Sequence, residues 1–127
     1  MKRAIILIVV LSIIGFGGGA WMDKVQSDTA ESYQGNVSLI RQWMKQGDTE
    51  KAAIEQARLY AKWEGDVKWL NCITSHHHTR AVSQALLELS TAFEFGWEDE
   101  IYRALDQARD ALTDVGSGDR LTIENVL

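Results

Sequence analysis

The chain has 127 residues, with 13 basic against 18 acidic side chains for a formal net charge of −5, a single cysteine and no proline. The acidic balance excludes a basic nucleic-acid-binding surface. The lone cysteine excludes an intramolecular disulfide, so the fold rests on packing. Average usage of ~5% proline predicts about six in a chain this long, and their absence points to an all-α protein.

Lys2 and Arg3 precede an uncharged, mostly apolar run over residues 4–22, which Asp23 and Lys24 close. As a helix the run spans roughly 28 Å, near the ~30 Å hydrocarbon core of a bilayer. Residues 4–14 are strongly apolar and residues 15–20, rich in glycine, much less so. Two readings fit. One is a retained anchor, with Trp21 at the membrane boundary. The other is a cleaved signal peptide with Gly18-x-Ala20 as its small-x-small site, which would leave the protein secreted. The anchor is the expectation: residues 1–22 form a signal-anchor or transmembrane segment, and residues 23–127 form an extracytoplasmic helical domain. The positive-inside rule then places the N-terminus in the cytoplasm of a single-pass membrane protein. About 105 residues remain, enough for one small domain. Subtracting Lys2 and Arg3 leaves 11 basic against 18 acidic residues, a charge of −7. That balance also argues against a basic helix lying on a membrane surface.

Apolar residues recur at helical spacing throughout the domain. The first segment, residues 23–46, carries Tyr33, Val37, Ile40 and Met44 on one stripe and ends at Gly47. Asp48 caps the second, residues 49–75, where Glu50 meets the helix dipole. Ala53, Ala57, Tyr60, Trp63, Val67 and Leu70 are its expected core face, and Gly65-Asp66 a kink or short break. The third, residues 79–95, aligns Val82, Leu86, Leu89 and Phe93, flanked by Ala85 and Ala92, and closes at Gly96. In the fourth, Ile101, Ala104, Leu105, Ala108, Leu112 and Val115 form an unbroken stripe behind Glu98, Asp99 and Glu100. Gly116-Ser117-Gly118 is expected to end it, with residues 121–127 folding back as a short turn capped by Thr122. Short loops make neighbours antiparallel, so the predicted architecture is a transmembrane helix followed by a small up-down bundle of three to four helices. Ile54-Glu55-Gln56-Ala57-Arg58 echoes Leu105-Asp106-Gln107-Ala108-Arg109, two helices built to one packing pattern.

His76-His77-His78 is the motif that most resembles a site, since imidazole ligates zinc, copper and nickel. Successive helical residues point about 100° apart, so the three do not converge on one ion. The residue four positions after His76 is Arg80, which repels a cation. The three are weak metal candidates, and a polar turn is the reading preferred. Trp43, Trp63, Trp69 and Trp97 are many for so small a domain. Trp63 and Trp69 lie on different faces of one helix, so one is expected inside and the other partly exposed. Trp63, Trp69 and Trp97 are the candidate partner-binding residues, because aromatics concentrate at interface hot spots. Cys72, beside Leu70 and Ile73, reads as a small buried hydrophobe. The sequence holds no phosphate loop, nucleophile elbow or activated thiol, so neither catalytic residues nor a cofactor are assigned and the protein reads as a non-enzyme.

A basic start and single span lead to a Gly-Asp-x-x-Lys-Ala helix opening (Gly47, Asp48, Lys51, Ala52). Trp63 and Trp69 are followed by His76, then by apolar Val82, Leu86 and Leu89, and the sequence closes on residues 121–127, Leu-Thr-Ile-Glu-Asn-Val-Leu. In this order of features the chain resembles a family of small membrane-anchored bacterial proteins catalogued as domain of unknown function number 4363. It departs from that pattern where His77 and His78 stand in place of an acidic residue soon after the histidine. The resemblance implies an extracytoplasmic helical domain and supplies no mechanism. The functional expectation is a protein-interaction or structural module of the cell envelope, binding another protein or itself. The alternative is a sensor module for a small ligand or metal.

Overall fold

Two left-handed glycines and two side-chain caps divide the chain into helices. The computed structural model describes residues 2–126, with side chains at 15, 16, 18–20, 22 and 117–126 outside that description. Within it the protein is all-α, as α1 (Lys2–Lys45), α2 (Thr49–Ile73), α3 (His76–Phe95) and α4 (Glu98–Val126). Gly47, at φ 78°, ends α1; the next amide, of Asp48, donates to the Trp43 carbonyl at 2.9 Å, closing the last turn as in a Schellman motif. Asp48 then caps α2 by accepting the Lys51 N–H at 3.1 Å. Ser75 caps α3 by accepting the His77 N–H at 3.2 Å. Gly96, at φ 69°, ends α3 and passes the chain to α4.

Each helix packs on its two neighbours in a closed ring. α1 meets α2 and α4, and α3 meets the same two, with no diagonal packing among the described residues. This is the up-down bundle predicted for the domain. Its core holds the expected stripes: Tyr33, Val37, Ile40 and Met44 from α1, Val82, Leu86 and Leu89 from α3, and Ile101 through Val115 from α4. In α2 the buried face is rotated. Ala52, Gln56 and Leu59 are buried beside Trp63 and Leu70, whereas Ala53, Tyr60 and Val67 are half-buried and Ala57 is exposed. A stripe drawn through alanines misplaces the axis, because alanine is tolerated on either face. Gly65-Asp66 does not break α2, which runs without interruption from Thr49 to Ile73.

Two expectations about the chain ends are corrected. No transmembrane helix is found: among the described residues no helix is long and apolar enough to cross a membrane. The described apolar stretch over residues 4–14 reaches about 16 Å, roughly half a hydrocarbon core, before the glycine-rich stretch dilutes it. Its side chains, Ile5 through Ile14, are exposed, and the helix they begin continues without interruption into the bundle. At the other end, Gly116-Ser117-Gly118 does not terminate α4, and residues 121–126 continue the helix in place of a turn capped by Thr122. Gly116 serves packing: a methyl group there would stand 3.3 Å from the Ala30 Cβ, so the glycine lets α4 approach α1 closely.

Candidate functional site

The tryptophans separate by burial. Trp63 is 2% exposed, its Nε1–H donates to Ser83 Oγ at 2.8 Å, and its ring meets Tyr33 edge-on with centroids 5.3 Å apart. It is a core residue joining α1, α2 and α3 and offers no surface to a partner, which corrects its place among the partner-binding candidates. Trp69 is 39% exposed and donates its Nε1–H to Asp66 Oδ1 at 3.2 Å. This inside-and-outside pair is the division the sequence predicts. Trp43 is half-buried under the Lys51 ammonium, 4.6 Å from its ring centroid.

Asp66 links the core to the surface. Its Oδ2 accepts the Tyr33 hydroxyl at 2.6 Å while Oδ1 takes Trp69, so one carboxylate holds a buried ring and an exposed one. Burial first, then the Asp66 hydrogen bond and charge, push the Tyr33 hydroxyl far above its ordinary pKa. Lys62 lies over the same ring, 4.5 Å from its centroid. Cys72 is exposed, not buried as its apolar neighbours suggest.

Trp97 lines a surface groove. It follows the Gly96 turn and is 55% exposed, stacked on Phe95 with centroids 5.0 Å apart and planes at 19°. Leu87, one turn above Thr91 on α3, is 49% exposed on the same side. Between α3 and α4, Leu87 and Trp97 border a groove of about 330 Å³, with Gln84, Glu88, Glu100 and Arg103 along its walls, while Phe95 stacks on Trp97 beside it. Arg103 pairs with Glu100 at 2.7 Å, and Gln84 donates to Glu88 at 3.3 Å. The charged walls are already paired, while Leu87 and Trp97 are exposed beside them, an arrangement suited to recognition. The sequence singles out Trp97 but misses Leu87 and Phe95. Their signal is a second stripe, Leu87-Thr91-Phe95 at i, i+4, i+8, one residue out of step with the core stripe. Trp69 does not join them: it lies near the α2–α3 turn, at the opposite end of the bundle from Trp97.

The three histidines occupy the first turn of α3, which starts at His76 and not near Thr79. The rings of His77 and His78 meet edge to face, centroids 5.7 Å apart, and His76 lines a different cleft, between α2 and α3. Among the described residues no group of three or more His, Cys, Asp or Glu side chains could hold a metal ion. Compared with protein-family models, curated proteins and solved structures, the chain matches none. These comparisons therefore do not bear on the resemblance to domain of unknown function number 4363.

Proposed function

We propose that this protein is an interaction module that docks a protein partner, or a second copy of itself, on the α3–α4 groove around Trp97. The observation that carries this reading is the exposure of Leu87 and Trp97 along one groove, with exposed Phe95 stacked on Trp97. Burying exposed aromatic surface is the main source of energy at protein interfaces, and tryptophan is enriched at their hot spots. The proposal includes a place of work outside the cytoplasm. Lys2-Arg3, the short apolar run and Gly18-x-Ala20 are the parts of an export signal, whose apolar region is ~7–15 residues long. The likeness to the uncharacterised envelope family is consistent with that location.

Crosslinking in intact cells, followed by mass spectrometry of the tagged full chain, tests the reading against a Trp97→Ala variant. One stoichiometric partner, or a self-crosslink, recovered with the parent chain and lost from the variant supports it. Equal recovery from both chains, or recovery of neither partner nor self-crosslink, overturns it.

A further inference from the structure

The second cleft has the opposite character. It lies between α2 and α3, measures about 230 Å³, and is lined by Val67, Asn71, His76, Thr79, Arg80 and Ser83. No carboxylate lines it, although the chain carries 18. Arg41 meets Asp106, Arg58 meets Glu55, Arg103 meets Glu100, and Arg109 meets Asp106 and Asp110. Among the described residues of the bundle, Arg80 is the arginine with no carboxylate partner. A lone guanidinium in an acidic domain, set into a concave wall, leaves five N–H donors for something from outside.

The lining is held from beneath. Thr79, 2% exposed, donates to Asn71 Oδ1 at 2.5 Å, which turns the Asn71 amide NH₂ away from that bond. Ser83 Oγ accepts from buried Trp63 at 2.8 Å, so its own hydroxyl proton is left to donate elsewhere. His76 stands one helical turn before Arg80, so the two share one side of α3. The first turn of α3 contains no acidic residue, and its dipole adds to the positive potential there. Guanidinium, imidazole, amide and hydroxyl groups thus come from two helices around one small space, the amide and hydroxyl held by buried Thr79 and Trp63.

We propose that this cleft binds a phosphate group. Donors that converge from several directions suit a tetrahedral oxyanion better than a planar carboxylate, and the Arg80 fork matches two of its oxygens. The volume, about 230 Å³, is ample for a phosphoryl group. The proposal stands apart from docking at Trp97, which is on another face and near the other end of α3.

The test titrates the isotope-labelled full chain with sodium phosphate, and separately with sodium chloride and sodium acetate at equal ionic strength. Amide shifts at His76, Thr79 and Ser83 are the readout. Saturable shifts with phosphate are expected, weaker by about tenfold or more in Arg80→Gln, the scale of one lost charge-assisted contact. Arg80→Lys, which keeps the charge and loses the fork, is expected to fall between. Arg80 is exposed, so the variants are expected to keep the parent helicity, which circular dichroism checks. Absence of saturation, equal affinity in Arg80→Gln, or equal shifts with chloride or acetate would overturn the assignment. Phosphatidylcholine vesicles with and without phosphatidic acid distinguish the sources. Arg80-dependent binding to the anionic vesicles identifies a lipid headgroup; phosphate binding without it identifies a free phosphate ester.

Discussion

Tyr33→Phe removes one oxygen atom and nothing else from the core, and so isolates the bond between α1 and Asp66 of α2. That bond is short, 2.6 Å, and its acceptor is a carboxylate. Hydrogen bonds to charged groups contribute about 1.5–3 kcal/mol. Asp66 is half-buried and keeps Trp69 as a partner, so water can reach the vacated oxygen and the expected cost lies at the low end, about 1.5 kcal/mol. With a urea dependence of about 1–3 kcal/mol per molar, the unfolding midpoint of the full chain should fall by roughly 0.5–1.5 M. A pH series gives a second, independent reading. The folded-state pKa of Tyr33 is raised, so above pH ~10 the unfolded chain releases this proton while the folded chain keeps it. The unfolded state then binds fewer protons, and stability falls as pH rises, by about 1.4 kcal/mol per unit for one such group. Tyr33→Phe abolishes that increment, and every other titrating group cancels in the difference between the two chains. The gap between parent and variant should therefore narrow above pH 10. Equal urea midpoints at pH 7, or parallel loss of stability above pH 10, would refute the reasoning.

Gly35→Ala and Gly65→Ala, at helical positions where a methyl meets nothing within 4 Å, should each raise stability by about 0.5–1 kcal/mol in thermal unfolding. Gly116→Ala should gain less than either, because its methyl presses on Ala30. Asp48→Ala removes the cap of α2 and should cost about 1 kcal/mol, with Asp48→Ser restoring most of it in the same assay. Leu89→Ala empties a fully buried position and should cost about 2–5 kcal/mol by urea unfolding.

The bundle was legible because its apolar periodicity and its punctuation agree. Gly47, Asp48 and Gly96 stand where the helices turn, and the α1, α3 and α4 stripes rest on large side chains that have one stable place. Legibility failed where a residue type has two uses. Gly116 reads as a stop, yet a glycine inside a helix also permits close contact with a neighbour, and only the position of Ala30 decides which. Ala53 and Ala57 read as core, yet alanine costs little on either face, and bulky Leu59 sets the rotation of α2. At the sites, Trp97 was visible as a surplus aromatic, whereas Phe95 and Leu87 were hidden by the neighbouring core stripe. Arg80 was legible only as a neighbour that discourages a metal. Arg58, Arg103 and Arg109 each have a carboxylate three residues earlier on the same helix, a pattern the sequence displays, but the Arg41–Asp106 pair between α1 and α4 and the cleft beside Arg80 appear only in the fold.

The two clefts follow from how the bundle disposes of its charge. At the start of α4, Glu98, Asp99 and Glu100 answer the helix dipole, and Arg103 answers Glu100, so what remains unsatisfied there is apolar surface. At the start of α3 no carboxylate answers the dipole, and Arg80 adds to it, so what remains unsatisfied is positive charge and hydrogen-bond donors. Unburied aromatic area and unpaired guanidinium call for different ligands, the first a protein surface and the second an oxyanion. Arg80 and Phe95, which stacks on Trp97, are separated by roughly 22 Å along the rise of α3, beyond the ~7–10 Å within which substitutions couple. Substitutions at Arg80 and Trp97 should therefore act independently, although the two clefts meet at neighbouring Ser83 and Gln84, and the Trp63–Ser83 and Thr79–Asn71 bonds hold α3 against α2.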